Sequence, residues 1–223
     1  METKIRAIIT GTTGMVGEGV LHECLHSPKV EAVLVINRKP CGYSHPKLKE
    51  IIHQDFFDLS AVENKLIGYN ACYFCLGITS VGTAKDVYYQ MTYTLTMHVA
   101  QTLSKLNHDM TFCYVSGAGT NSSEKGGINW AIVKGKTEND LMNLPFKQVF
   151  NFRPGIIKPT KGLKHTLGFY KVFMWLFPIL KAINKNSFVT LKEMGIAMIN
   201  TANYKTEKKI LEVKDIKNLA AEV

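Results

Sequence analysis

The stretch that most restricts how this chain can fold is its start. Ile5-Arg6-Ala7-Ile8-Ile9-Thr10 is a short apolar run, and Gly11-Thr12-Thr13-Gly14-Met15-Val16-Gly17 follows it at once. From Glu18 to Leu25 the apolar residues Val20, Leu21, Cys24 and Leu25 fall at helical spacing. The order is strand, glycine turn, amphipathic helix. In that order Gly11 lets the chain leave the strand sharply, Gly14 leaves room for a pyrophosphate against the backbone, and Gly17 lets the helix sit close to the sheet. The unpaired N–H groups at the helix start then face an anion. The alternative is a plain strand-to-helix turn, since glycine also marks ordinary turns.

The rest of the chain repeats the unit. Ala32 to Ile36 is a continuous apolar run, as in a strand buried on both faces. Leu48 to Gln54 reads as a third strand, Leu59 to Leu66 as a short helix, and Asn70 to Leu76 as a fourth strand. Ala84 to Leu106 is the longest helical pattern, with Val87, Met91, Leu95, Val99, Leu103 and Leu106 on one stripe. Thr111 to Ser116 is a fifth strand, Trp130 to Leu144 a helix, and Gln148 to Phe152 a sixth strand. Thr190 to Thr201 is a further helix, and Lys209 to Val213 a last short strand before a terminal helix. Alternating βα units predict an α/β protein built on a doubly wound parallel sheet. The chain reads as a single domain over 1–223, with 160–205 as a candidate substrate cap or lid.

In such a sheet, ligands bind beyond the carboxyl ends of the strands. Asp55, Phe56, Cys75, Leu76 and Gly77 lie there and are expected to line the adenine and ribose side of a dinucleotide. Asn37-Arg38-Lys39-Pro40 follows the second strand. An Asp or Glu there would bind a free ribose 2′-hydroxyl, whereas Arg38 and Lys39 suit a 2′-phosphate, so NADP is expected ahead of NAD.

The bulk properties exclude several classes. The formal charge is +9, but Lys and Arg are scattered, with no basic run of five or more, so no nucleic-acid partner is expected. Five cysteines without a disulfide framework suit a reducing compartment, and the chain is expected to be cytoplasmic, with no signal peptide before the first strand. Cys72 and Cys75 would point to opposite faces of a strand, and His22 and His26 lack a further ligand, so no metal site is expected. Leu167 to Ile183 is rich in apolar and aromatic residues but too short to span a bilayer. It reads as a lid, a homodimer contact, or a membrane-surface helix.

The sequence resembles the short-chain dehydrogenase/reductase superfamily. The likeness rests on Thr10 to Gly17, Cys75-Leu76-Gly77, Val115-Ser116, Lys134-Gly135 and Phe152-Arg153-Pro154-Gly155 in that order, and it runs from Ile5 to about Ile157. More narrowly it looks like the atypical and extended members, among them NAD(P)-binding epimerase-like proteins and Tat-interacting oxidoreductase-like proteins. The resemblance implies a Rossmann-type fold. It implies that Gly11, Thr13, Gly14, Met15 and Val16 bind pyrophosphate and that Arg38 meets the adenosine end. Asp55 and Phe56 would border adenine, and Gly77 would pass close to the ribose. Lys134 would hold the nicotinamide ribose, and Pro154, Gly155 and Ile156 would border the nicotinamide.

The family's chemistry places a tyrosine four residues before that lysine, to pass a proton to or from a substrate oxygen. This chain has Trp130, whose indole N–H donates only. Ser116 keeps one hydroxyl after the fifth strand, where many relatives carry two in tandem, but Gly117 follows it. The catalytic set is thus reduced to Ser116 and Lys134, with Tyr88, Tyr89, Tyr114 and Tyr170 as other tyrosines near the cleft. Three functions are compatible. One is an NADP-dependent oxidoreductase with a non-standard site, acting on an unnamed small molecule such as a quinone, flavin or tetrapyrrole. Another is an inactive NAD(P)-sensing or scaffold protein, and the third a nucleotide-sugar epimerase or dehydratase.

Overall fold

The computed structural model describes residues 4–165, 187–203 and 207–222. Among them the chain forms β1 (Ile5–Thr10), α1 (Met15–His26), β2 (Val30–Asn37), β3 (Leu48–Ile52), β4 (Ala71–Phe74), α2 (Lys85–Tyr89), α3 (Leu95–Leu106), β5 (Thr111–Val115), α4 (Asn129–Met142) and β6 (Gln148–Arg153). They are followed by β7 (Ile156–Lys158), β8 (Phe188–Thr190), α5 (Leu191–Thr201), β9 (Ile210–Glu212) and α6 (Val213–Ala221). Seven strands make one parallel sheet in the order β3-β2-β1-β4-β5-β6-β9. The short β7 and β8 pair beside it, a pair that the sequence pattern did not suggest.

Side-chain alternation along the strands produces two cores. Ile5, Ala7 and Ile9 of β1, with Val33 and Val35 of β2, face α1, α5 and α6. Ile8, Leu34 and Ile36 face the opposite way, onto α3 and Leu141 of α4. With both faces covered, β1 and β2 can be apolar almost throughout. Strand order reverses direction at β1 and β4, so the open crevice lies past Thr10 and Phe74. Within 160–205, β8 and α5 pack into the sheet's own layers. The apolar segment 167–183 lies outside the described residues, and so does Tyr170.

Two local readings need correction. The helix expected at 59–66 is only a single 3₁₀ turn, Glu63–Lys65. The Asp58 carboxylate accepts the Ser60 N–H at 2.9 Å, and the following bonds close at i to i+3. A side chain that captures a nearby backbone N–H competes with helix formation. The stripe on the long helix also shifts. A π turn, Gln90–Thr94, joins α2 to α3 and inserts one residue. Upstream of it the buried position is Tyr88, and Val87 is 44% exposed; downstream Leu95, Val99 and Leu103 are buried as expected.

Candidate functional site

The crevice begins where β1 ends. Gly11 has φ +72°, and a Cβ there would lie 2.7 Å from the Cys75 carbonyl oxygen just past β4. This is a close backbone approach that only glycine permits. A Cβ on Gly17 would strike the Gly11 carbonyl, so this glycine accommodates the turn itself. Gly14 is the N-cap of α1, and no side chain caps the helix there. The first-turn N–H groups are therefore not taken by a capping side chain and can meet an anion. Met15, Val16 and Cys75 turn their side chains toward the core, leaving backbone for any ligand contact. Burial holds the Cys75 thiol far above its ordinary pKa, so it stays protonated.

Two adjoining cavities extend from this turn. One, of about 330 Å³, is lined by Arg38, Asp55, Phe56, Leu76 and Gly77 together with Phe57, Ile78 and Met91. The other, of about 590 Å³, brings Thr13, Arg38, Lys39, Phe56 and Leu76 together with His165. Asp55, Phe56, Leu76 and Gly77, read from sequence as the adenosine side, thus share one crevice with Arg38, whereas Cys75 lines neither cavity. Asp55 accepts the Phe57 N–H at 2.8 Å, an Asx turn that shapes the wall.

Sequence reasoning missed two neighbours. Asn37, the last residue of β2, is buried and donates to the Thr12 hydroxyl at 2.7 Å and to Glu50 at 3.1 Å. Glu50 also accepts the Cys41 N–H at 2.8 Å. An acid does reach the end of β2, but it comes from β3 and is engaged by the chain's own donors. Arg38 and Lys39 are exposed. Among the described residues no carboxylate lines the larger cavity.

The other side of the site is built on α4. Lys134 Nζ donates to the Val115 carbonyl at 3.1 Å and sits 5.2 Å from the centre of the Tyr114 ring. Burial pulls its ammonium down to a pKa of about 8, against a smaller upward pull from Glu138. Ser116 is buried, and its hydroxyl shares a 2.9 Å hydrogen bond with Thr120. Trp130, one turn before Lys134, lays its indole against Gly117 and Gly119. Tyr114 and Tyr88 are buried, with pKa values raised by that burial, and Tyr93 donates to Asp140. Gly155 and Ile156 line a separate cavity of about 470 Å³ with Ala118, Glu212 and Lys214.

Arg153, quoted in sequence only as part of a motif, is the main tie of this half. It is 9% exposed and pairs with fully buried Glu138 on α4 through two hydrogen bonds, one of 3.0 Å. It also donates to Ser122 and to Glu212. Among the described residues no cluster of His, Cys, Asp and Glu could hold a metal. No described helix is long and apolar enough to cross a membrane.

The likeness to solved structures is one of fold: epimerases and enzymes solved with NAD share this Rossmann-type architecture. A UDP-N-acetylglucosamine 4-epimerase from Methanobrevibacter ruminantium matches with a TM-score of 0.66 and 16% identity over 93% of this chain and 75% of its own. The Bordetella bronchiseptica enzyme WbmG, solved with NAD, matches with a TM-score of 0.68 and 14% identity over 98% of this chain and 77% of its own. Among curated proteins the chain is similar to mitochondrial FMP52 of Chaetomium globosum, 26% identical over 71% of this chain and 68% of that protein. FMP52 of Saccharomyces cerevisiae is 24% identical over 68% of this chain and 65% of its own length. No protein-family model matches.

These relatives correct the expected cytoplasmic location, because they are named as mitochondrial proteins. The five cysteines are indeed free. Cysteines without disulfides do not, however, separate the cytosol from the interior of an organelle.

Proposed function

We propose that the chain is an NAD(P)-binding oxidoreductase of the short-chain dehydrogenase/reductase type that prefers NADP and works without the family's tyrosine. Its start and its FRPG strand end favour the epimerase-like and Tat-interacting oxidoreductase-like branch. The observation that carries the reading is the make-up of the larger cavity: Thr13 beside the start of α1, which no side chain caps, Arg38 and Lys39 with it, and no carboxylate among the described residues of its walls. Such a crevice suits a dinucleotide with a phosphate on its adenosine ribose.

Each half of the site then has a role. Backbone from Gly11 to Val16 receives the pyrophosphate, while Asp55, Phe56, Leu76 and Gly77 enclose the adenine end. Lys134 donates to the far ribose. Ser116, held by Thr120, presents a hydroxyl, and Pro154, Gly155 and Ile156 border the nicotinamide position. A bound nicotinamide would supply hydride transfer. Trp130 can donate a hydrogen bond but cannot cycle a proton. The acceptor is therefore one that, after taking hydride, can take its proton from solvent, as a quinone or flavin does.

The test is titration of the full chain with NADPH and NADH by fluorescence, followed by NADPH oxidation against quinones, flavins and ketones. Tighter NADPH binding with quinone or flavin turnover is the expected result. Strong ketone reduction would overturn the reading of Trp130, and absence of binding would overturn the cofactor. Trp130 also favours a second reading, a sensor that binds the nucleotide and turns nothing over; binding without turnover across the panel would select it.

A further inference from the structure

The most elaborate polar cluster outside the proposed chemistry surrounds Glu18. This residue of α1 is 1% exposed, and its carboxylate receives the backbone N–H of Lys164 at 2.6 Å, the backbone N–H of His165 at 2.7 Å, and the Tyr43 hydroxyl. Burial and the carboxylate push the Tyr43 phenol up to about 12, so it remains a donor. Lys164 is fixed a second way: its ammonium donates to the Gly42 carbonyl at 2.7 Å and lies 4.5 Å from the centre of the Tyr43 ring. A segment 146 residues away in sequence is thereby locked over the first helix. His165 is the residue at which it reaches the larger cavity, whose lining it shares with Arg38 and Lys39.

A buried carboxylate that accepts two successive backbone N–H groups fixes where the next side chain stands. We infer that Glu18 is a positioning residue and His165 a specificity-determining one. Glu18 sets the Lys164–His165 backbone so that the imidazole meets the adenosine 2′-phosphate beside Arg38 and Lys39. The inference rests on the NADP reading above and adds a third phosphate partner to it. It also ties the nucleotide site to chain beyond β7, which the Rossmann core alone would not do.

The test is the ratio of NADPH to NADH affinity, measured by fluorescence titration of the full chain. His165→Ala is expected to weaken NADPH about fivefold and NADH less than twofold, the size of one partly exposed charge contact. His165→Arg restores the preference. Glu18→Gln lowers the ratio as His165→Ala does, and the double variant lowers it no further, because Glu18 acts through His165. If Glu18→Gln does not fold, the two His165 variants decide alone. An unchanged ratio in His165→Ala, with NADPH still bound by the wild type, would overturn this inference and leave the NADP reading standing. Failure of the wild type to bind either nucleotide would overturn both.

Discussion

At the end of β1 the crevice is shaped by backbone, through Gly11 against the Cys75 carbonyl and a helix start that no described side chain caps. At the end of β5 it is shaped by side chains, through Lys134 on the Val115 carbonyl, Ser116 on Thr120, and Arg153 clasped by Glu138. The two regions answer change differently. The backbone-built end tolerates almost no alteration without losing the turn. The side-chain-built end keeps its scaffold while a residue at its rim is exchanged. Trp130 illustrates this: it occupies the helix position one turn before Lys134, packs on Gly117 and Gly119, and leaves the lysine's contact in place.

The largest effect expected is loss of the clasp. Arg153→Met would leave Glu138 fully buried without its charged partner, and removing one member of a buried pair costs about 3 kcal/mol or more. Urea unfolding should show that loss. An effect below about 1 kcal/mol would mean that water or Ser122 compensates, and that the second region is held by packing instead. Next is Gly135→Ala on α4. Alanine in a helix interior normally stabilises by up to about 1 kcal/mol. Here its Cβ would lie 1.9 Å from the Asn121 carbonyl, and overpacking should destabilise by about 2 kcal/mol instead. Gly77→Ala, which meets nothing within 4 Å, is the neutral control. A stabilised Gly135→Ala protein would show that the loop after β5 yields readily, and would sharpen the contrast between the regions.

How much of this could be read from sequence depends on how local the cause is. The strand, turn and helix at 5–26 follow from neighbouring residues, and so do Arg38 and Lys39 and the placement of Trp130 and Lys134 on one helix. The contacts that crossed the chain were not legible. Glu18 is one acid in the first turn of a helix, and nothing in its spacing marks Lys164 and His165 as partners. Glu50 reaches Asn37 only because β3 pairs with β2. Glu138 and Arg153 are unremarkable charges until β6 is laid beside α4. The π turn escaped for a different reason. A stripe read at 3.6 residues per turn has no place for an inserted residue, so Val87 was put where Tyr88 belongs.

Arg38 sharpens the comparison from the ligand's side. It lines both cavities, and Arg38→Ala should weaken NADPH about tenfold while changing NADH little, as expected for one charge-assisted phosphate contact. Equal loss for both nucleotides, by the same titration, would place Arg38 on adenine or pyrophosphate and remove the basis for preferring NADP.

The smallest effect belongs to Lys134, and its sign separates site from scaffold. The ammonium is the form that donates to a ribose hydroxyl, and burial holds its folded pKa at about 8, below the ordinary lysine value of 10.5. Nucleotide affinity should therefore decline as pH rises through about 8, with the basic limb absent in Lys134→Met. Stability moves the other way. Between about 8 and 10.5 the unfolded chain binds more protons at this residue than the folded one, so Lys134 makes stability rise with pH across that window. Below it, the folded protein carries the cost of a partly buried charge, offset in part by the Val115 carbonyl, the Tyr114 ring and the nearby Glu138 carboxylate. Affinity falling while stability holds or rises identifies a local loss of the donor at the second region. If both fall together, the cause is general unfolding, and the role given to Lys134 loses its support.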